Sequence, residues 1–324
     1  LLRAGLLGVM MGRSRAVDLL KLALALMVVG IHASPLAGLG NTARLISAEG
    51  LFRLGVPVFL LFNGYYLQGA IAAGRGWHFV KRAALLYAIW MVIYIPVAWP
   101  IWSNAPWRQK FFTLVIGYWH LWYLSGFALA AAVAVLLAHW SAARLAVLAG
   151  ATLGAGLAVF YGMSLGLIFP DPDLFMDPLL PHRNALFVCV PFLLMGLLIR
   201  RLDLAGRLPR GAVLALAGLG VLLVMAESLV LGNFAPIGVS HDTMLSLGLA
   251  APLLAIAALQ WPGAVTDRTL GDYASGIYFL HVAFCAYSYR YTDLPSPVIY
   301  VIAVAGAVAG TWAIRRAGLE RRLL

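Results

Sequence analysis

The sequence predicts an all-α, polytopic membrane protein, and three observations predict it. Apolar stretches long enough to cross a bilayer recur along the whole chain. Hydrophobic residues make up 63% of the 324 positions and charged residues only 11%, more apolar surface than a soluble fold of this size can hide. The cations cluster in the short intervals between apolar stretches. The formal charge of +11 therefore reads as orientation within membrane lipid, not as a nucleic-acid surface. Cys189 and Cys285 both lie in apolar runs and form neither a disulfide framework nor a metal-ligand pattern.

Ten spans are expected, at roughly 16–35, 51–69, 79–102, 111–138, 144–162, 185–200, 211–231, 242–260, 271–291 and 297–315. An even number puts both termini on one side. Every lysine and arginine then falls on that side except Lys21, inside the first span, and Arg44, Arg53, Arg108, Lys110, Arg183 and Arg290. That bias places both termini in the cytoplasm. The interval 163–184, with Asp171, Asp173 and Asp177, would be a polar loop on the other side. Residues 1–12 are too short to span and lack a small-residue cleavage site. They read as an extension ahead of a start at Met11, with no structural role, in a chain forming one domain over 1–324.

The first span, RAVDLLKLALALMVVGIHASP, carries Asp18, Lys21 and His32. Ionisable residues inside a span are costly and mark functional sites. Eleven positions at about 100° each return Lys21 and His32 to nearly the same helix face, about 16 Å apart along the axis. One face would hold a cation toward one surface and an imidazole toward the other. The residues alone also admit a plainer reading, with Lys21 neutralised by Asp18 one turn away and His32 at the interface before Ser34-Pro35.

The second span follows as FRLGVPVFLLFNGYYL, with Arg53 near its outer end, Pro57 loosening its start, and Asn63 and Tyr65 within it. Asn63 suits an interhelical hydrogen bond as well as a substrate contact. The third span opens through Lys81 and Arg82. Two basic residues there anchor a helix end, or bind the phosphates of an anionic donor. In the fourth, Tyr118, Trp119, His120 and Trp122 fit an interfacial aromatic belt or an acceptor site.

The fifth and sixth spans carry no ionisable residue mid-membrane and read as scaffold. The seventh holds Glu227, a lone carboxylate needing a partner, with Arg53, Arg290 and His32 as candidates. Asp242 and Asp272 are expected to cap the eighth and ninth helices. His281 lies mid-span in the ninth, with Tyr278 three residues before it on the same face. It suits a structural hydrogen bond between helices or a substrate contact. The tenth span is featureless up to Arg315-Arg316.

RAVDLLKLALALMVVGIH, FRLGVPVFLLFNGYYL, KRAALLYAIW, YWHLWYL and GIYFLH together resemble the acyltransferase-3 family of bacterial membrane acyltransferases, in family order over about residues 15–285. The family's Arg, ten residues, His pattern is met here by Lys21 and His32; lysine keeps the charge but lacks the bidentate fork. Its usual Ser-Gly pair in the second span is Asn63-Gly64, and its basic pair in the third is Lys81-Arg82. The sequence resembles stand-alone members, without an appended esterase-like domain, that O-acetylate exopolysaccharides, surface antigens or their lipid-linked precursors.

The resemblance implies a location in the bacterial cytoplasmic membrane and acetyl-CoA, or another acyl-CoA, as donor from the cytoplasm. It implies a glycan hydroxyl, polymeric or polyprenyl-linked, as acceptor from outside, and no metal. His32 would be general base or a transient acyl carrier, Arg53 or Asn63 would meet the oxyanion, and Glu227 would orient a partner. Lys21, Lys81, Arg82 and Arg15 would hold the donor, and Asn63, Tyr65, His120, Trp122, Tyr278 and His281 the acceptor. The rival reading is a proton-coupled secondary transporter relaying protons through Glu227, His281 and the Lys21–Asp18 pair. Against it, the sequence shows no repeated halves.

Overall fold

The structure, a computed structural model, describes residues 14–169, 179–235, 238–261 and 267–324. Asp171, Asp173, Asp177, Arg3, Arg13 and the extension at 1–12 lie outside them. Every regular element among the described residues is helical. Twelve helices carry the architecture: α1 Arg15–Ala33, α2 Gly55–Ala72, α3 Gly76–Ile93, α4 Ile95–Trp102, α5 Trp107–Ile116, α6 Trp122–Leu136, α7 Ala142–Ser164, α8 Val190–Arg201, α9 Arg210–Phe234, α10 Leu245–Gln260, α11 Thr269–Tyr291 and α12 Ser296–Arg316. A helix occupies each of the ten predicted stretches. Among the described residues six helices are individually long and apolar enough to cross a membrane, or seven if the bent pair α3–α4 is one span. This is a membrane protein.

Two predicted spans are broken, and the residues at the breaks explain why. The stretch 79–102 bends by 66° between α3 and α4, where Pro96 sits in the first turn of α4. A proline has no N–H to continue the ladder and disfavours helix in the residue before it. The stretch 111–138 breaks at Gly117, whose φ of 106° lies in the left-handed region, and at Trp119, with φ 40°. A further departure precedes α8, where a π-turn at Ala185–Cys189 leads into Pro191. The wider turn accommodates the missing N–H, and the side chain of Asn184 accepts from the amides of Leu186 and Phe187, both at 2.9 Å.

In the bundle, α1 packs on α11, α2 on α8, α3 on α6, α9 on α10 and α11 on α12. The α2 stretch is the most enclosed, 67% of its window buried against 22% for α12. Gly64 and Gly196 bring α2 and α8 together. A Cβ on Gly64 would collide with the carbonyl of Leu193, and one on Gly196 with that of Leu61. Small residues at such crossings let membrane helices approach backbone to backbone. Leu222, Val147 and Val301 stay exposed on the outer helices, as lipid-facing positions require.

Candidate active site

The end of α1 places the site. The helix stops at Ala33 because Ser34 adopts a left-handed conformation, its amide bonding the carbonyl of Gly30, and Pro35 follows. His32 is thereby held in the last helical turn, half-buried, with no hydrogen bond to its ring among the described residues. Tyr289 donates its hydroxyl to the carbonyls of Ala33, at 3.1 Å, and His32, at 3.3 Å.

Two further histidines, from distant parts of the sequence, meet this ring. His281 of α11 lies 5.1 Å from His32 between centroids, His120 lies 6.5 Å from His32, and His120 and His281 are 5.2 Å apart. Both added rings are buried. Nδ1 of His281 is 2.9 Å from the carbonyl of Ile277. A carbonyl only accepts, so Nδ1 carries the proton and Nε2 presents a lone pair. That Nε2 and both ring nitrogens of His120 are buried without a hydrogen-bond partner among the described residues. Buried orphan polar atoms are costly, and their concentration beside His32 points to a polar reaction centre. The three rings are not a metal cage: no group of three ligating residues among those described could hold an ion.

A shell of tyrosines fixes this centre. Tyr278 donates to the backbone carbonyl of His120 at 2.6 Å, and Tyr94 to that of Phe279 at 2.7 Å. Asn63 donates to the hydroxyl of Tyr123 at 2.7 Å, and the Tyr123 ring sits 5.4 Å from that of Tyr278. Asn63 thus makes the interhelical bond its position suggested and reaches the centre through Tyr123. Tyr118, His120 and Trp122 are buried, which removes them from an interfacial belt.

Beside the centre lies a buried charge network. Arg53 donates through Nε to Ala48 O at 2.9 Å, pairs with Glu49 at 2.5 Å and pairs with Asp242 at 2.6 Å. Arg183 reaches Asp242 at 3.9 Å and lies over the Trp122 ring at 5.2 Å. Asp242 is outside the spans. Burial opposes its charge, but Arg53 and Arg183 outweigh that and hold the carboxyl below its usual range. Asp242 therefore does not cap α10 as expected, because two guanidinium groups claim it.

The cap of α10 comes from another helix. Glu227 accepts the amides of Leu245 at 3.0 Å and Ser246 at 2.8 Å, and also bonds the Tyr161 hydroxyl. None of its three expected partners, Arg53, Arg290 or His32, bonds it. Its carboxylate satisfies a helix N-terminus, where negative charge is favoured, and stands apart from the histidines. Asp272 likewise is not a cap. It sits in the first turn of α11, pairs with Arg315 at 2.6 Å, and leaves capping to Asp267, which accepts the Thr269 amide at 3.0 Å.

The expected donor residues lie along the other half of the molecule. Lys21 Nζ is 5.4 Å from the Phe62 ring centre and 5.0 Å from that of Tyr66. Tyr65, expected near the acceptor, instead carries the Arg200 guanidinium over its ring at 5.1 Å. Arg15, Lys81 and Arg82 are exposed and are not brought to the histidines. The sequence reading missed Tyr94, Tyr123, Glu49 and Arg200. Only Glu49 carried a signal, as an unpaired charge four residues before Arg53.

A polytopic helical fold with a buried imidazole cluster defines a class of membrane protein, and the comparisons give its family. Residues 14–316 match the family model described as "Acyltransferase domain". The chain belongs to the acyltransferase-3 family. It is similar to a protein named serine/alanine racemase from Enterococcus gallinarum, 26% identical over 287 residues, covering 83% of this chain and 40% of that protein. It is also similar to a protein named amino-acid racemase from Enterococcus faecalis, 24% identical over 291 residues, with the same coverage of 83% and 40%. The chain thus spans well under half the length of these curated relatives. No solved structure matches it.

Proposed function

We propose that the protein moves an acyl group, acetyl in the simplest case, from cytoplasmic acyl-CoA to a sugar hydroxyl of a surface glycan or its lipid-linked precursor. The observation that carries this reading is the His32 imidazole, half-buried and without a ring hydrogen bond among the described residues, 5.1 Å from the ring of His281, whose Nε2 is unpartnered among them. His32 takes the hydroxyl proton as the oxygen attacks the thioester carbonyl. The C–O bond forms, the C–S bond breaks, and the imidazolium returns the proton to the departing thiolate. Nε2 of His281 can accept a hydrogen bond only from a protonated ring nitrogen. On protonation of His32 that lone pair would accept from the imidazolium and stabilise it, the role first expected of Glu227.

Arg53 is engaged by Ala48, Glu49 and Asp242, so it would fix the wall of the site and not bond the oxyanion directly. Arg15 and Lys21 lie in the half of α1 away from His32, the end that the charge bias assigns to the cytoplasm, and with Lys81 and Arg82 would meet the donor phosphates there. The test is labelled acetyl-CoA supplied to the cytoplasmic face of vesicles with glycan on the other. Label should reach the glycan, and replacing Lys81 and Arg82 together by alanine should raise the donor KM while leaving the acceptor KM unchanged. Equal effects on both would refute the donor placement.

A further inference from the structure

The bend between α3 and α4 and the tight turn at Gly117–Trp119 leave two adjoining clefts that the chemistry at His32 does not itself require. One, of about 320 Å³, is lined by Pro96, Pro100, Trp119, Tyr289, Arg290 and Tyr291. The other, of about 300 Å³, is lined by Trp102, Gln109, Thr113, Tyr118 and Trp119 among others. Trp119 and Ile101 border both, so the clefts lie on either side of one indole. That indole is held between Tyr94, at 6.1 Å, and Tyr118, at 6.0 Å, on a backbone with φ 40°. A non-glycine residue keeps such a φ only where its surroundings over-determine it.

Two features relate these clefts to the reaction centre and to a ligand class. Tyr289, in the wall of the larger cleft, is hydrogen-bonded to the backbone of His32 and Ala33. A molecule seated there lies against the end of α1 that carries the imidazole. The cleft beside Tyr289 has a cation in its wall, and a second cation stands behind the wall of the other. Arg290 is exposed, lies 5.6 Å over the Tyr291 ring, and forms no ion pair among the described residues. Lys110 lies 5.7 Å over the Trp102 ring, a lining residue of the second cleft. Flat aromatic and prolyl faces suit the apolar faces of sugar rings. A guanidinium suits a carboxylate, which it can grip with two parallel hydrogen bonds.

We propose that the two clefts bind successive residues of an acidic glycan, with Arg290 meeting a uronate carboxylate in the cleft beside His32. This rests on the acyl-transfer reading and names the acceptor class. The Arg290 guanidinium then selects an anionic polymer over a neutral one, and the shared Trp119 sets which residue presents its hydroxyl to the imidazole.

The experiment uses the full chain in nanodiscs of phosphatidylcholine, so that no anionic lipid competes for Arg290. Binding of tetragalacturonic acid and of its methyl ester, the same shape without the charges, is measured calorimetrically in the absence of any donor. The acid should bind about tenfold tighter than the ester, as expected for one charge-assisted contact. Arg290→Gln should abolish the difference, and Arg290→Lys should restore part of it. The thermal midpoint of Arg290→Gln should match that of wild type, which shows that the variant is folded. Equal binding of acid and ester, including none of either, or a preference that survives Arg290→Gln, overturns the proposal. Because no donor is present, this result is independent of whether His32 performs acyl transfer. An enzyme that acylates neutral glycans would fail this test and still pass the one at His32.

Discussion

The imidazoles of His32 and His281 face each other at 5.1 Å with their planes tilted by 51°, and the Ile277 carbonyl fixes which nitrogen of His281 carries its proton. One ring is free to react and the other is constrained to accept. In the proposed reaction His281 would act through His32, as a positioning residue. Replacing it by glutamine should lower kcat on the order of 100-fold, the low end of what an acid–base group contributes, with the KM for acyl-CoA unchanged. A change confined to KM would show that His281 binds substrate instead.

Glu227 holds the N-terminus of α10 and touches no histidine. Glu227→Ala removes the acceptor for the amides of Leu245 and Ser246, a loss of about 1–3 kcal/mol. It should lower the thermal midpoint of the purified protein while leaving kcat within about twofold of wild type at a temperature where both are folded. A large kcat loss in a folded variant would return Glu227 to the reaction.

Asp242 ties the loop before α10 to Arg53. Its folded-state pKa lies below the ordinary value, so its contribution to stability is fully present above the ordinary carboxylate pKa, about 3.9. That contribution is lost as the pH falls through the folded value. Asp242→Asn should cost about 1.5–3 kcal/mol near neutral pH, as for a hydrogen bond to a charged group. Below about pH 4 the difference between variant and wild type should narrow. Thermal midpoints measured across that range check this, and a gap that widened on acidification would contradict it.

The crossing of α2 and α8 leaves no space at Gly64 or Gly196. Gly64→Ala places a methyl group against backbone, which cannot swing aside as a flexible side chain would. A cost of about 1–3 kcal/mol or more is expected, seen as a lower thermal midpoint and poor recovery from detergent. Gly218→Ala, where the added Cβ meets nothing, is the matched control and should be neutral or slightly stabilising.

The helices were legible because apolar length and cation placement are properties of single segments. Their breaks were less so: Pro96 and Gly117 stood in plain view, but apolar runs continue past both. At the site, His32, His120, Tyr278 and His281 could each be singled out as polar residues in apolar stretches. Their meeting could not, since two helices and the turn before α6 bring them together. Glu227, Asp242 and Asp272 were misjudged for a related reason. A carboxylate near a helix start looks like that helix's own cap, whereas Asp242 and Asp272 serve arginines from other segments and Glu227 serves a different helix. Tyr94 and Tyr123 gave no signal, because tyrosines are common in membrane spans and only their hydroxyl partners distinguish these two.

The most direct measurement is acyl transfer by His32→Ala in sealed vesicles, with labelled acetyl-CoA on the cytoplasmic face and glycan on the other. Transfer should fall by about 100-fold or more, while donor binding and the thermal midpoint stay near wild type. Transfer at the wild-type rate by a folded His32→Ala protein would contradict the account.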